Sequence, residues 1–330
     1  MVHNVAPKAD KKGKKDKAKE LKPPRRKFLS VVRMEYPMYL FALPAVIVTI
    51  IFAYLPMFMN IIAFMDYKIT NPGWLGLGSE WVWFDNFKSI LTDPVFYQIS
   101  ARTIFYSCIS VFARLPVPFI LALLMNELRN VTFKRVVQTF SYLPHFVSWV
   151  TIGSLVYLFS STDITTGLFN SLRAMVGLKP VLFMRSLKLF PIFLFFSEVF
   201  KNAGYNTIIY LAAIGSLDPQ LYEAATIDGA NRFQQLRFIT IPGILPTVMI
   251  LLIMSVGSLF SSNFDQIVNM QNPTIVADTN TLPVYVYSSG IRSGKYSRAT
   301  AIGLFQGVIN CGLLLGTNFV SNKITGSGLF

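Results

Sequence analysis

Long apolar runs divided by short polar stretches set the pattern of this chain. Uncharged, mostly apolar stretches longer than 18 residues recur along it. That pattern predicts membrane-spanning helices rather than the one-sided apolar stripes of soluble helices. The runs cover residues 36–65, 97–125, 136–161, 189–216, 239–264 and 299–322. The expected fold class is therefore an all-α membrane protein of about six transmembrane helices. Pro44 and Pro56 interrupt the first run, and Arg114, Pro116 and Pro118 the second; membrane helices absorb such breaks better than soluble ones. The fourth run, roughly 28 residues long, would reach ~42 Å as a helix, so it should cross the hydrocarbon and project beyond it.

That projection delivers the chain to a polar island at 217–242. Asp218-Pro219 starts a helix, with an Asp cap and Pro at the first helical position. Glu223 lies near its positive end, and Ala224 and Ala225 give it a small, closely approachable face. Asp228-Gly229 supplies a turn, and a second helix is expected from Asn231 until Pro242 limits it. Elsewhere, 66–97 reads as an outer segment with an aromatic belt of Trp74, Trp81 and Trp83. Residues 126–135, with Glu127, Arg129, Lys134 and Arg135, read as a cytoplasmic turn. Residues 162–188 and 265–298 read as outer loops.

The island carries a family resemblance. Glu223-Ala224-Ala225, Gly229 six residues after Glu223, then Ile239 and Pro242, resemble the EAA loop in membrane subunits of binding-protein-dependent ABC importers. The fuller Glu223-Ala224-Ala225-x-x-Asp228-Gly229-Ala230 is similar to the carbohydrate-uptake branch, with Ile241 where Leu is usual. Phe64-x-Asp66-Tyr67, Trp81-Val82-x-Phe84-x-Asn86-Phe87 and the 121–127 stretch also resemble that family, over 36–322. The resemblance implies a bacterial inner-membrane, multi-pass permease subunit of an ATP-driven oligosaccharide importer, closest to the branch that includes uronic acid-containing sugars. It implies an ATPase-coupling role for Glu223, Ala224, Ala225, Asp228, Gly229, Arg232, Phe233 and Pro242. It further implies a second related permease completing a heterodimeric pore, and two ATP-binding subunits that bind ATP and Mg. An extracytoplasmic solute-binding protein would deliver the oligosaccharide. A secondary transporter is the alternative, and would show internal repeats and broken helices at matching places. A non-transport membrane scaffold is another, and would need neither this loop nor charges within its spans.

Composition and charge narrow the picture further. Of 330 residues, only 14% are charged, well below the ~25% of soluble domains. The net charge of +14 is concentrated in residues 1–27, where eleven Lys or Arg meet three acids. Ahead of a membrane span this run marks the cytoplasmic side rather than a nucleic-acid partner, and six spans place both termini there. The expected organisation is a disordered basic tail at 1–35, which can skim anionic membrane lipid, a transmembrane domain at 36–322 and a cytoplasmic end at 323–330. Charge on the outer segments is uneven: +3 over 162–188, +1 over 265–298 and −2 over 66–97.

Catalytic chemistry is not expected, and no cofactor is expected in this chain. The stretch Ser289-Gly290-Ile291-Arg292-Ser293-Gly294-Lys295-Tyr296 lacks the first Gly and the last Ser or Thr of a phosphate loop. His3 and His145 are the only histidines, and Cys108 and Cys311 show no disulfide or metal spacing. Ionisable residues within spans are costly and mark candidate sites. Arg114, His145, Glu198, Lys201 and Asn202 are therefore candidates for a substrate path. Glu198 and Lys201, three apart on one helical face, can equally form a structural pair or contact a partner subunit. Arg114 could face an aqueous cavity or reach an interface, and His145 could be a hydrogen-bonded packing residue.

Overall fold

A computed structural model describes residues 28–330 except 72–77, 164, 262, 327 and 330. Residues 1–27 of the expected disordered tail and the belt residue Trp74 lie outside the described residues, while 28–35, expected as part of that tail, are helical. Two compact units are distinguished, Met1–Phe58 and Met59–Phe330. The first is a helix, Phe28–Thr49, that continues through a wide turn at Ile50–Tyr54 into Leu55–Met57. The Leu55 N–H reaches back five residues to Ile50 O, a loosening just ahead of Pro56 that spares the helix a clash with the proline ring.

The second unit is helical throughout, with one isolated bridge, Met65 to Trp81, among its described residues. Helices long and apolar enough to cross a membrane are Tyr36–Phe64, Pro94–Asn126, Arg232–Gly257 and Tyr296–Lys323; a fifth is possible by pairing Val131–Phe146 with Trp149–Phe159. The fold class is thus all-α and membrane-spanning, but the count by this measure falls short of the six runs. The missing one, 190–215, is helical along its length, yet Glu198, Lys201, Asn202 and Asn206 make it too polar to qualify.

Three boundaries differ from the pattern. The run at 136–161 is not one straight span, because Val131–Phe146 and Trp149–Phe159 meet at 97°. Pro144 sits in a tight 3-10 turn, Leu143–Phe146; Val147 is extended, and Ser148 recaps the next helix by accepting from Thr151 N. Pro242 does not end its helix: a wide turn at Leu236–Thr240 absorbs it, and the helix runs on through Ile241–Gly257. The stretch at 265–298 is not a loop but folds as Phe264–Met270, Val276–Thr279, Leu282–Tyr287 and Ser288–Arg292. It buries Gln266, Ile267, Met270, Ile275 and Leu282.

Helix 190–215 is the hub of the second unit. Phe190, Leu194, Ser197, Glu198, Lys201, Thr207, Tyr210 and Ile214 are buried along it, so the helix meets its neighbours at both ends and in the middle. Toward one end Phe190 and Leu194 pack with Tyr106, Met184, Ile267 and Met270. Toward the other, Tyr210 and Ile214 pack with Ala122 and Ile244. Between spans, lipid is as apolar as the core, so close packing and interhelical hydrogen bonds hold these helices together rather than exclusion of water. Ser107 Oγ donates to Leu259 O at 2.6 Å, and Leu282 N donates to Thr103 Oγ1 at 2.8 Å.

Gly204 marks the closest approach on this helix. A Cβ there would stand 2.0 Å from Ser141 O, a backbone atom that cannot swing aside. Gly204→Ala is therefore expected to destabilise the purified protein by about 1–3 kcal/mol despite the better helix propensity of Ala. Gly215, with nothing within 4 Å, should accept Ala without loss. Equal melting temperatures for the two variants would contradict the close contact.

Candidate functional site

Two polar assemblies stand out, and the residues singled out in the sequence divide cleanly between them. One is the island at 217–242. Asp218 caps its first helix, Pro219–Ile227, by accepting from Gln220 N at 2.9 Å. The helix ends on a double closure: Ala230 N donates to Ala225 O at 2.8 Å and Gly229 N to Thr226 O at 3.1 Å, with Gly229 left-handed at φ 78. This geometry requires a residue free to take positive φ, which is why glycine stands there. Asn231 opens the next helix with a reciprocal capping box, accepting from Gln234 N at 2.9 Å while Gln234 Oε1 accepts from Asn231 N at 2.7 Å.

Further contacts make the island one body with the spans that flank it. Gln235 Nε2 donates to Thr226 Oγ1 at 3.0 Å, and the Tyr222 and Thr240 hydroxyls lie 2.9 Å apart. Arg232 pairs with Glu127, on the turn after the second span, at 3.0 Å. Glu127, Tyr222, Thr240 and Gln235 were not among the expected site residues; Glu127 carried a signal as the acid of a short charged turn. Glu223 sits in the second helical turn, not near the positive end as its pattern suggested. It is exposed, as are Ala224, Asp228 and Gly229. Ile227 is 86% exposed and Phe233 67% exposed. Two large apolar side chains thus stand exposed on the closed turn, near the exposed Glu223 and Asp228. Pro242 belongs to the span rather than to this face.

The second assembly lies within the membrane-spanning region and brings Arg114, His145, Glu198, Lys201 and Asn202 together. The expected pair of Glu198 with Lys201 does not form. Arg114 Nε donates to Glu198 Oε1 at 2.5 Å, and Asn202 Nδ2 donates to the same oxygen at 2.7 Å. His145 Nδ1 meets Asn202 Oδ1 at 2.9 Å, and its ring stacks on Tyr205 at 3.8 Å. Lys201 instead donates to the carbonyls of His145 and Val147 and lies 5.5 Å from the Trp149 ring centroid. Arg114 also reaches Asn263 Oδ1 at 3.2 Å.

Each member sits where its helix is irregular. Arg114 ends Pro94–Arg114 just before the break at Leu115, and Lys201 and Asn202 lie in a wide turn, Val199–Ala203. His145 is at the 97° bend, and Asn263 is left-handed at φ 68. The geometry explains why the pairing went wrong: the wide turn rotates Lys201 off the face it would share with Glu198 in a regular helix. Lys201 then satisfies carbonyls that the bend strips of helical partners. Glu198 is fully buried, and its Oε2 has no partner among the described residues.

Comparison with known proteins agrees on one family. The family described as binding-protein-dependent transport system inner membrane component matches residues 114–262, a stretch that runs from Arg114 through the whole island. The chain is 36% identical over 303 residues to Protein LplB of Bacillus subtilis (strain 168), covering 92% of this chain and 94% of that one. It is likewise 36% identical over 318 residues to the polygalacturonan/rhamnogalacturonan transport system permease protein YteP of the same organism, covering 96% and 95%. Among solved structures, a bacterial alginate ABC transporter in complex with alginate pentasaccharide-bound periplasmic protein matches with a TM-score of 0.82 at 32% identity, over 92% of this chain and 100% of that one.

Proposed function

This chain belongs to the binding-protein-dependent transport system inner membrane components, and from that premise we propose how its two polar assemblies divide the work of import. It is a permease subunit of an oligosaccharide ABC importer, a multi-pass protein of the bacterial inner membrane. In our reading the island at 217–242 docks an ATP-binding subunit through Glu223, Ala224, Ile227, Asp228 and Phe233. The observation that carries this is the outward presentation of an exposed apolar pair on a turn closed from both sides. ATP and Mg are held by two such partner subunits. A second, related permease completes a heterodimeric pore, an extracytoplasmic solute-binding protein delivers the sugar, and both termini of this chain are cytoplasmic.

The mechanism follows from what the island is tied to. It lies between helix 190–215 and Arg232–Gly257, and Arg232 links it to Glu127 on the second span. Drawing two docked islands together when the ATPases close on ATP would therefore move three spans as rigid bodies. Two of those spans, the second and helix 190–215, meet at Arg114, Glu198 and Asn202, where helical breaks let the segments tilt. The five intramembrane residues in this reading form a joint rather than a row of sugar ligands.

The substrate is proposed to be an acidic oligosaccharide. Two relatives handle uronate polymers by name, polygalacturonan/rhamnogalacturonan and alginate. Positive charge gathers on the outer segment 162–188 of this chain, where it would focus an anionic sugar on the pore mouth. Trigalacturonate uptake by cells is expected to exceed that of neutral galactotriose by about tenfold or more at low ionic strength, and to fall with salt. Equal uptake of the two, with no salt dependence, would overturn the acidic reading and leave the family membership untouched.

A further inference from the structure

The segment 162–188, read from sequence as an outer loop, is a built wall. Asn170 on the helix Leu168–Met175 is fully buried. Its Nδ2 donates to Ser161 O at 2.7 Å and to Val181 O at 3.0 Å, while its Oδ1 accepts from Val181 N at 2.9 Å. One side chain thus clamps the end of the third span to the strand-like return at 181. Arg173 staples the same return by donating from Nε and NH2 to Lys179 O at 3.1 and 3.0 Å. A third wall is tied on by Asn272 Nδ2, which donates to Met184 O at 2.6 Å, and by the Tyr157 hydroxyl, which donates to Met270 O at 3.0 Å.

These walls border an open pocket of about 510 Å³, lined in part by Tyr157, Phe183 and Asn272 and by the exposed Thr162, Arg185 and Thr274. That volume falls within the ~300–1,000 Å³ typical of small-ligand sites. The lining divides into two sets. Asn272 and the Tyr157 hydroxyl spend their hydrogen bonds on holding the walls. The Arg185 guanidinium and the Thr162 and Thr274 hydroxyls make no side-chain hydrogen bond or ion pair among the described residues. Asp163 does not neutralise Arg185: its carboxyl is turned onto Thr165, whose N–H and hydroxyl hold it below the usual carboxylate range. A concave site with rigid walls, an aromatic side, two free hydroxyls and one free guanidinium fits a sugar bearing a carboxylate.

We propose that this pocket is a subsite that receives one uronate unit of the arriving oligosaccharide. Arg185 pairs with the unit's carboxylate, and Thr162 and Thr274 bond its ring hydroxyls. The proposal rests on the acidic-oligosaccharide reading above and adds to it a place and a set of contacts. The subsite would act at hand-over from the delivery protein, so its loss should slow sugar passage while leaving docking-stimulated ATP hydrolysis intact.

The test uses the full transporter in proteoliposomes with its loaded delivery protein at saturation and trigalacturonate as the sugar. Arg185→Gln is expected to lower trigalacturonate carried per ATP hydrolysed by on the order of tenfold, the worth of one charge-assisted bidentate contact. Arg185→Lys should recover part of it, since the ammonium keeps the charge but not the fork. A second readout does not depend on turnover. Leu182→Cys, in a background of Cys108→Ala and Cys311→Ala, places a thiol in the lining, and trigalacturonate should protect it from a membrane-impermeant maleimide where galactotriose does not. An unchanged ratio in Arg185→Gln overturns the subsite, as does protection of the thiol by sugar-free delivery protein but not by trigalacturonate, which would make the pocket a protein-docking surface. If the unmodified transporter carries galactotriose as well as trigalacturonate, it is the acidic-substrate reading that falls, and the subsite with it. If it discriminates between them and Arg185→Gln discriminates equally, only the subsite is lost.

Discussion

Arg114→Met should destabilise the purified complex by about 3–5 kcal/mol, because it strands a buried carboxylate. Glu198 is fully buried and Arg114 is its one ion-pair partner among the described residues, at 2.5 Å. Asn202 would remain as a single donor to Oε1, and Oε2 already lacks one among the described residues. The guanidinium is one-third exposed, so water can reach the site, which pulls the cost toward the lower figure. Arg114→Met combined with Glu198→Gln removes the stranded charge and should cost clearly less than Arg114→Met alone. Lys201→Met is a useful contrast, since it removes a donor from two carbonyls and leaves Glu198 paired. A thermal scan of these proteins, with Glu198→Gln alone and Lys201→Met combined with Glu198→Gln alongside, decides the matter. Strictly additive losses for Arg114 and Glu198, or a rescue of Lys201→Met by Glu198→Gln, would contradict the observed pairing.

Loss of ATPase association is the second large effect, and it can be separated from folding. Glu223 is exposed and makes no ion pair among the described residues, so Glu223→Lys should leave melting behaviour unchanged. At a docking face the reversed charge should weaken ATPase association by about tenfold or more, read as loss of the ATPase from a mild detergent extract. Gly229→Val acts differently. Nothing lies within 4 Å of a Cβ at Gly229, so the penalty is not a clash. It is the left-handed backbone at φ 78, which costs an L-residue about 1–2 kcal/mol and more for a β-branched one. Relief of that strain would break the bonds to Ala225 O and Thr226 O and disturb how the turn presents Ile227 and Phe233. Gly229→Asn, which tolerates this conformation, should keep most of the binding. Retention of full ATPase binding and substrate-stimulated hydrolysis by both Glu223→Lys and Gly229→Val would rule out docking through this face.

Much of the docking island was legible along the chain because its determinants are local. Asp218-Pro219, Asp228-Gly229 and Asn231 act through bonds to residues two to five positions away, and such spacing is visible in one dimension. The intramembrane cluster was legible as a set of residues but not as a set of bonds. Charges within apolar runs are conspicuous, so Arg114, His145, Glu198, Lys201 and Asn202 could each be singled out. Their partners could not be read in this way, since Arg114 and Glu198 are 84 residues apart. The one pairing that helical spacing did suggest failed because a wide turn at Val199–Ala203 alters the spacing itself.

By itself, then, the amino-acid order determined the helical membrane class, the capped island and the identities of the buried polar residues, because hydrophobic runs, caps and turn glycines act over a few neighbours. Only the tertiary structure decided where spans bend, which side chains pair, that 162–188 is pinned through a buried Asn170 and that 265–298 folds as packed helices. A break at Val147 or a left-handed Asn263 depends on long-range partners: Lys201 waits on the carbonyl at one, and Arg114 reaches the side chain at the other. Buried polar atoms must find bonds wherever the fold brings them, and that search runs across helices rather than along the chain.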